Sequence, residues 1–470
     1  MRERPDLGAD AHASDKHARR HQRQCFYFAR PAVSADSKNR ASGISARRAS
    51  LLILSAVLRR RRALDLAIAD ALSQATLDER DLGFARAIAI ETIRRFGVLD
   101  ALIRNFVPKV PLPHKAGPTW EILLAGACEL LFLKTAPHAA VDAANRLAQE
   151  DHKAIHFKPL INAVLRRVTR EGETVVKTFD AGRLALPDWM WERISANYGA
   201  EAARDIARAH LTRPPLDLVW KADDAPPLGL LNGEWIAPQC LRLSDSGKVE
   251  ELPGYEEGRW WVQDFAATLP VQLLGDIRGQ EVIDLCAAPG GKTAQIAAAG
   301  GNATAVDFSK ERLDVLQANL ARLKLRAELI EADARDWRPR ARAPFVLLDA
   351  PCSATGTIRR HPELPWIKSA ADITAQSVRQ DELLDAAADM TSEGGKLVYA
   401  VCSLEPEEGV ERIESFLGRR DDFVRDPLQR GEVPDASFIS PQGDLRTLPH
   451  YWKTKGGMDG FYSARLRRRA

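Results

Sequence analysis

The sequence predicts an α/β protein built on a parallel sheet, with an all-α region ahead of it and a small mixed module between them. Three observations carry this reading. From about residue 263 to 470, short apolar runs alternate with helical stretches, the pattern of strand–crossover–strand units. From about 47 to 172, apolar residues recur at helical spacing almost throughout. Between 180 and 262, the double prolines Pro214-Pro215 and Pro226-Pro227 cut the chain into short strand-like pieces.

Taken in order, residues 1–46 lack apolar periodicity and read as a disordered leader. The leader and the start of the next segment are basic: residues 1–62 hold 15 Lys and Arg against 5 Asp and Glu. The remainder holds 52 against 59, so the formal charge of +3 conceals an uneven distribution. Such an arm either touches nucleic acid or is a solvated leader, and composition does not choose between them. The 47–172 stretch carries successive apolar stripes, from Leu51, Leu54 and Val57 to Leu160, Ile161, Val164, Leu165 and Val168, which predict five or six helices. Residues 183–212 predict one or two more, opened by Pro187. Strands are expected at 216–220, 233–236 and 260–262, then at 281–286, 303–307, 327–332, 345–349, 396–401 and 461–467. Helices are expected at 292–299, 309–323, 374–390 and 407–418.

Six cysteines over 470 residues, with no CxxC, fit free thiols in a reducing compartment rather than a disulfide scaffold. No Cys/His cluster has zinc spacing, so no metal is expected. No apolar run approaches the roughly 20 residues of a membrane span, so no membrane partner is expected and a cytoplasmic location is the default. The chain reads as a monomer.

Four motifs carry chemistry. Asp284-Leu285-Cys286-Ala287-Ala288-Pro289-Gly290-Gly291-Lys292-Thr293 leads from a strand through a glycine turn into a helix. Such a turn lets backbone approach a ligand, and the helix start favours a carboxylate or phosphate. A dinucleotide fingerprint wants more glycines than Gly290 and Gly291. A P-loop matches at Gly291-Lys292-Thr293, but Cys286 stands where its first glycine belongs. An S-adenosylmethionine (SAM) loop accounts for the string best. Asp307 ends the next strand, seventeen positions after Gly290, where an acid accepts from ribose hydroxyls or caps the following helix. Asp333 ends the third strand and either bonds an adenine amino group or is a solvated loop acid. Asp349-Ala350-Pro351-Cys352 follows an apolar strand; the acid also resembles a Walker B aspartate, but a magnesium ligand needs no Pro-Cys behind it. Arg359-Arg360-His361 reads as a phosphate clamp on RNA or as a plain basic surface run. Cys402 ends another strand before Ser403-Leu404-Glu405-Pro406; a cysteine beside a helix start gains thiolate character, although a lone cysteine there is more often inert core.

In combination, DLCAAPGGKT, VDFSKERLDVLQANLARL, DAPCSATGTIRRHPE, YAVCSLEPEEG and GMDGFY resemble the Fmu/Sun family of RNA cytosine-5 methyltransferases, most closely its bacterial small-subunit rRNA members. Residues 47–172 resemble the NusB-type helical RNA-binding domain of those members, on stretches such as 157–166. The resemblance implies a Rossmann-like class I SAM-dependent methyltransferase domain at 263–470, behind an all-α NusB-like domain and the bridging module at 180–262. It implies SAM as cofactor and RNA, foremost 16S rRNA, as partner. Cys402 is then the nucleophile for carbon 6 of cytosine, Asp349 binds the base edge near N3, and Cys352 assists product release. Cys286, Ala287, Ala288, Pro289, Gly290, Gly291, Lys292, Asp307, Arg312, Asp333 and Asp349 form the cofactor site. Two departures stand out: Val401 replaces the family's usual Thr before the second cysteine, and Leu218-Val219-Trp220-Lys221 replaces its Arg-Val-Asn. Two other classes stay open from the residues alone: a P-loop-like nucleotide triphosphatase, and a non-catalytic RNA-binding protein on a dead methyltransferase fold.

Overall fold

The computed structural model describes residues 39–73, 77–107, 109, 111, 113–221, 231–244 and 247–470. The expected disorder of residues 1–38 and the Pro226-Pro227 break lie outside the described residues.

Seven helices of ten residues or more build the first region: α1 (Asn39–Arg60), α2 (Leu64–Ser73), α3 (Glu79–Arg94), α4 (Phe96–Phe106), α5 (Thr119–Leu131), α6 (Pro137–Glu150) and α7 (Lys158–Lys177). Their stripes meet in one core that includes Leu54, Ile88, Leu99, Leu123 and Leu165. Two expectations are corrected. There are more helices than five or six, and α1 starts at Asn39, inside the stretch expected to be disordered. The reason is the size of the buried groups. Ala46 and Ala49 pack against Ala85, and Arg47 donates to Glu129 at 2.9 Å. Small residues let helices approach closely yet leave almost no apolar stripe to read.

The middle module holds α8 (Asp188–Tyr198), α9 (Ala200–His210) and strands β1 (Leu216–Trp220), β2 (Glu234–Ala237), β3 (Cys240–Leu243) and β4 (Trp260–Val262). The strands form an antiparallel sheet in the order β2-β3-β1-β4. β3 escaped sequence reading because Arg242 breaks its apolar run. Arg242 is nonetheless buried, paired twice with buried Asp217 at 2.6 and 2.7 Å. At the departure from the family pattern, Leu218, Val219 and Trp220 are buried in β1 and Lys221 donates to the Leu323 carbonyl at 3.1 Å.

The last region contains α10 (Phe265–Gln272), β5 (Glu281–Leu285), α11 (Gly291–Ala298), β6 (Asn302–Asp307), α12 (Lys310–Leu323), β7 (Glu328–Glu331), β8 (Ala343–Asp349), α13 (Ala370–Met390), β9 (Thr391–Val401), α14 (Val410–Arg419), β10 (Phe423–Arg425), β11 (Leu445–Thr447) and β12 (Phe461–Arg468). Every strand expected after residue 263 is present. The sheet order is β10-β12-β9-β8-β5-β6-β7, with β11 beside β12. β5 to β9 run parallel, and β12 enters antiparallel to β9. Helices cover both faces, which is why these strands read as continuous apolar runs. Leu383, Leu384 and Met390 of α13 close one face, and Phe265 and Leu269 of α10 the other. Chain order reverses direction at β5, which lies between β6 and β8, so a crevice opens at the carboxyl ends of β5 and β8. Among the described residues no helix is long and apolar enough to cross a membrane.

The regions are joined through the loop after β8. Arg94 of α3 donates to the carbonyls of Arg359 at 2.7 Å and His210 at 3.1 Å, and Phe96 meets Trp366 edge-on at 4.7 Å. In the same loop the expected phosphate clamp is corrected. The side chains of Arg359 and Arg360 are 2% and 7% exposed, and both bind Asp264 and Asp459. Burial pushes the Asp264 carboxyl up, but Arg360 and Arg359 outweigh it and hold it at about 2. Donors engaged and desolvated in this way are not offered to a phosphate. His361 lies beside Glu363, Nδ1 to Oε1 3.8 Å, facing the start of α2.

Arg359→Met should therefore cost about 3–5 kcal/mol of stability in urea unfolding, because it leaves buried carboxylates undercompensated. A surface clamp would lose only about 0–1 kcal/mol, with the change appearing instead in the salt dependence of RNA binding.

Candidate active site

The loop leaving β5 turns sharply. Cys286 has φ 59° and Gly290 φ 104°. A Cβ at Gly290 would lie 2.6 Å from Cγ of Leu316 on α12, so glycine is required for α11 to start against that helix. Burial pushes the Cys286 thiol up, which suits a structural place in the loop rather than a nucleophile. The next side chains point inward. Lys292 Nζ donates to Asp349 Oδ2 at 2.8 Å, and Thr293 Oγ1 to Asp284 Oδ2 at 2.6 Å. Burial raises Asp284 to about 7, and its Oδ1 is buried without a partner. The Lys and Thr that matched the end of a P-loop are thus spent on two carboxylates, not held out toward phosphate and magnesium.

Asp307 ends β6 as expected, whereas Asp333 lies two residues beyond Glu331, where β7 ends. Asp307 accepts from the backbone N–H of Ala288 at 3.1 Å and of Ser309 at 3.0 Å, and lies 3.3 Å from Arg312. Arg312 also donates to the Ala288 carbonyl. Asp307 therefore ties the loop after β5 to the end of β6, while Ser309 is the N-cap of α12. Asp333 is held by Arg335 at 2.6 Å, and the arginine bonds hold its carboxyl below the usual range despite partial burial.

The structure brings Cys352 and Cys402 together, their sulfurs 3.4 Å apart in hydrogen-bond contact. β8 and β9 pair in register up to Asp349 opposite Ala400, and each cysteine follows just beyond. Their surroundings differ. The hydrogen bond to Cys402 and then burial push the Cys352 thiol well up, with a smaller part from the Glu408 charge. On the other side, burial lowers the buried Lys292 ammonium, but Asp349 and then Cys402 hold it above its ordinary value. Cys352 thus has the Glu408 carboxylate among its neighbours, and Cys402 has the Lys292 ammonium. One expectation is corrected: no helix starts at Cys402. A short 3-10 turn, Pro406–Glu408, intervenes, and α14 begins only at Val410, so the charge beside Cys402 is the Lys292 ammonium and not a helix end.

Sequence reading assigned Lys292 to the cofactor loop and missed its pairing with Asp349. It also missed Glu408, which is fully buried beneath the cysteines. A signal was present: each cysteine is followed by serine, and both serines bond this one carboxylate.

The geometry agrees with comparisons to known proteins. Residues 271–467 match the family model of 16S rRNA methyltransferase RsmB/F, and residues 44–170 that of the NusB family. Ribosomal RNA small subunit methyltransferase B of Pasteurella multocida is 35% identical over 90% of this chain and 96% of its own length. The protein of the same name from Pseudomonas putida is 37% identical over 89% of this chain and 98% of its own. Among solved structures, PH0851 superposes with a TM-score of 0.71 at 24% identity, covering 93% of this chain and all of that one. NSun6 from Pyrococcus horikoshii with SFG superposes with a TM-score of 0.51 at 20% identity, covering 60% of this chain and 98% of that one. These two speak for the fold. The sheet, the paired cysteines and the relatives along nearly the whole chain lead to one conclusion: this protein belongs to the RsmB family of 16S rRNA methyltransferases, with a NusB-type region ahead of the catalytic one.

Proposed function

We propose that this chain methylates carbon 5 of an unpaired cytosine in 16S rRNA, through a transient bond from Cys402 to carbon 6. The observation that carries this reading is the 3.4 Å sulfur pair at the carboxyl ends of β8 and β9, with the Lys292–Asp349 ion pair beside it. Carbon 5 of cytosine is a poor nucleophile. Addition of the Cys402 thiolate to carbon 6 makes the ring enamine-like, so that carbon 5 can take a methyl group. Asp349, 34% exposed at its side chain, faces the crevice and binds the base edge near N3. Carbon 5 then loses its proton, the carbon 6–sulfur bond breaks, and Cys402 leaves as thiolate. Cys352 assists this release.

The family's chemistry implies SAM, and the residues fit it. Asp307 ends β6, Asp333 lies two residues past the end of β7, and the orphaned Oδ1 of Asp284 lies under the loop of residues 286–292. Bound there, SAM supplies an electrophilic methyl group. Arg312 steadies the loop through Asp307 and Ala288. The target base must leave its stack, which loop bases of folded RNA do most cheaply. The helical region would position the RNA, with the basic leader as a further phosphate contact.

Cys402→Ala should abolish both methylation and the covalent RNA adduct on denaturing gels, whereas Cys352→Ala should accumulate that adduct. RNA captured by the Cys402→Ala protein would reverse the assignment. In thermal melts, SAM at about a hundred times its Kd should add about 2.7 kcal/mol of stability, and ATP should add none. ATP hydrolysis that depends on Lys292 would favour the triphosphatase reading instead.

A further inference from the structure

We propose that Glu408 is the positioning residue of the sulfur pair: one buried carboxylate ties the loop after β8 to the loop after β9 and so holds Cys352 against Cys402. The inference rests on the roles given to the two thiols above. The loops share no strand pairing beyond Asp349 and Ala400; past that point the Gly356 N–H donates to the Cys402 carbonyl at 3.0 Å, and the Glu408 side chain adds a tether beside both cysteines. Glu408 Oε1 accepts the backbone N–H of Ser353 at 2.8 Å. Its Oε2 accepts the hydroxyls of Ser353 and Ser403, both at 2.5 Å. These serines are the residues directly after the two cysteines, so the tether acts one residue from each sulfur.

The carboxylate is itself held in place. Gln380 of α13 donates to it at 3.4 Å and to the Pro351 carbonyl at 2.9 Å, and the Tyr399 hydroxyl donates to the Glu408 carbonyl at 2.7 Å. The Thr355 hydroxyl accepts the Leu404 N–H at 2.9 Å and lies 3.4 Å from that of Ser403, closing the network from the other side. No Lys or Arg pairs with Glu408 among the described ion pairs. A buried carboxylate satisfied only by neutral donors contributes order rather than net charge pairing. Burial raises Glu408, though the serine bonds oppose it, and its charge helps to keep the proton on Cys352.

Glutamine at 408 keeps the shape but turns one acceptor into a donor, so it cannot receive all three serine bonds. Glu408→Gln should slow turnover about ten- to a hundredfold, the scale of a small misplacement of reacting groups. The loss should fall on release: covalent RNA adduct should build up as in Cys352→Ala, with KM for SAM within about twofold, since a group made only for a later step leaves ground-state binding alone. Adding Cys352→Ala to Glu408→Gln should cost little more, because the carboxylate acts through that sulfur. Should Glu408→Gln fail to fold, the Ser353→Ala and Ser403→Ala pair carries the same expectation. Multiplying losses, or wild-type release beside a normal absence of capture in Cys402→Ala, would overturn this proposal alone. Capture of RNA by Cys402→Ala would overturn the thiol roles and this proposal with them.

Discussion

The parallel pairing of β8 with β9 governs where the reactive groups lie. Neighbouring strands stand about 4.8 Å apart, so residues just past the last paired positions can meet without help from distant parts of the chain. Asp349 ends β8 opposite Ala400, and the two sulfurs lie 3.4 Å apart beyond that point. β5 pairs on the other side of β8, which lets Lys292 at the start of α11 reach Asp349 with its Nζ at 2.8 Å. A sheet edge or an insertion between these three strands would separate Cys402, Lys292 and Asp349 at once. The order β9-β8-β5-β6-β7 is therefore a condition of the chemistry as much as a description of the fold.

Electrostatics then gives two like groups different surroundings. Both cysteines lie just past the ends of buried strands and both are followed by serine. Cys402 faces the Lys292 ammonium, and Cys352 faces Glu408. For Cys352 the nearby carboxylate opposes ionisation, as a like charge does. The four-charge cluster of Arg359, Arg360, Asp264 and Asp459 serves a separate end. It anchors the loop after Cys352 to the start of α10 and to the turn before β12, and Arg94 extends that anchor to the helical region. The loop after β8 is thus held near Cys352 by Glu408 and at its far end by this cluster.

The parallel strands were legible because burial on both faces writes an uninterrupted apolar run; residues 303–307 and 345–349 show this plainly. The short strands β10 and β11, three residues each, are too brief for any period to show. The start of α1 was hidden because Ala46 and Ala49 bury little surface each. Within the site, the cysteines, the glycine turn and the strand-end acids could be read from motifs. Their partners could not. A lysine in a glycine loop does not announce that it will turn to Asp349, and Arg359-Arg360 looks like a surface run until Asp264 and Asp459, about a hundred residues away on either side, are seen to enclose it. Burial of charge is a long-range property, and sequence spacing carries no trace of it.

The account's central claim is that the sulfur of Cys402 bonds to the pyrimidine ring. The most direct measurement replaces the target cytosine with 5-fluorocytosine, whose fluorine cannot leave carbon 5 as a proton does, and maps the trapped RNA by mass spectrometry after proteolysis. With SAM present, the account predicts a stable adduct on the peptide that contains Cys402, carrying the transferred methyl group. RNA found on the Cys352 peptide, or a methylated product with no adduct on either, would contradict it.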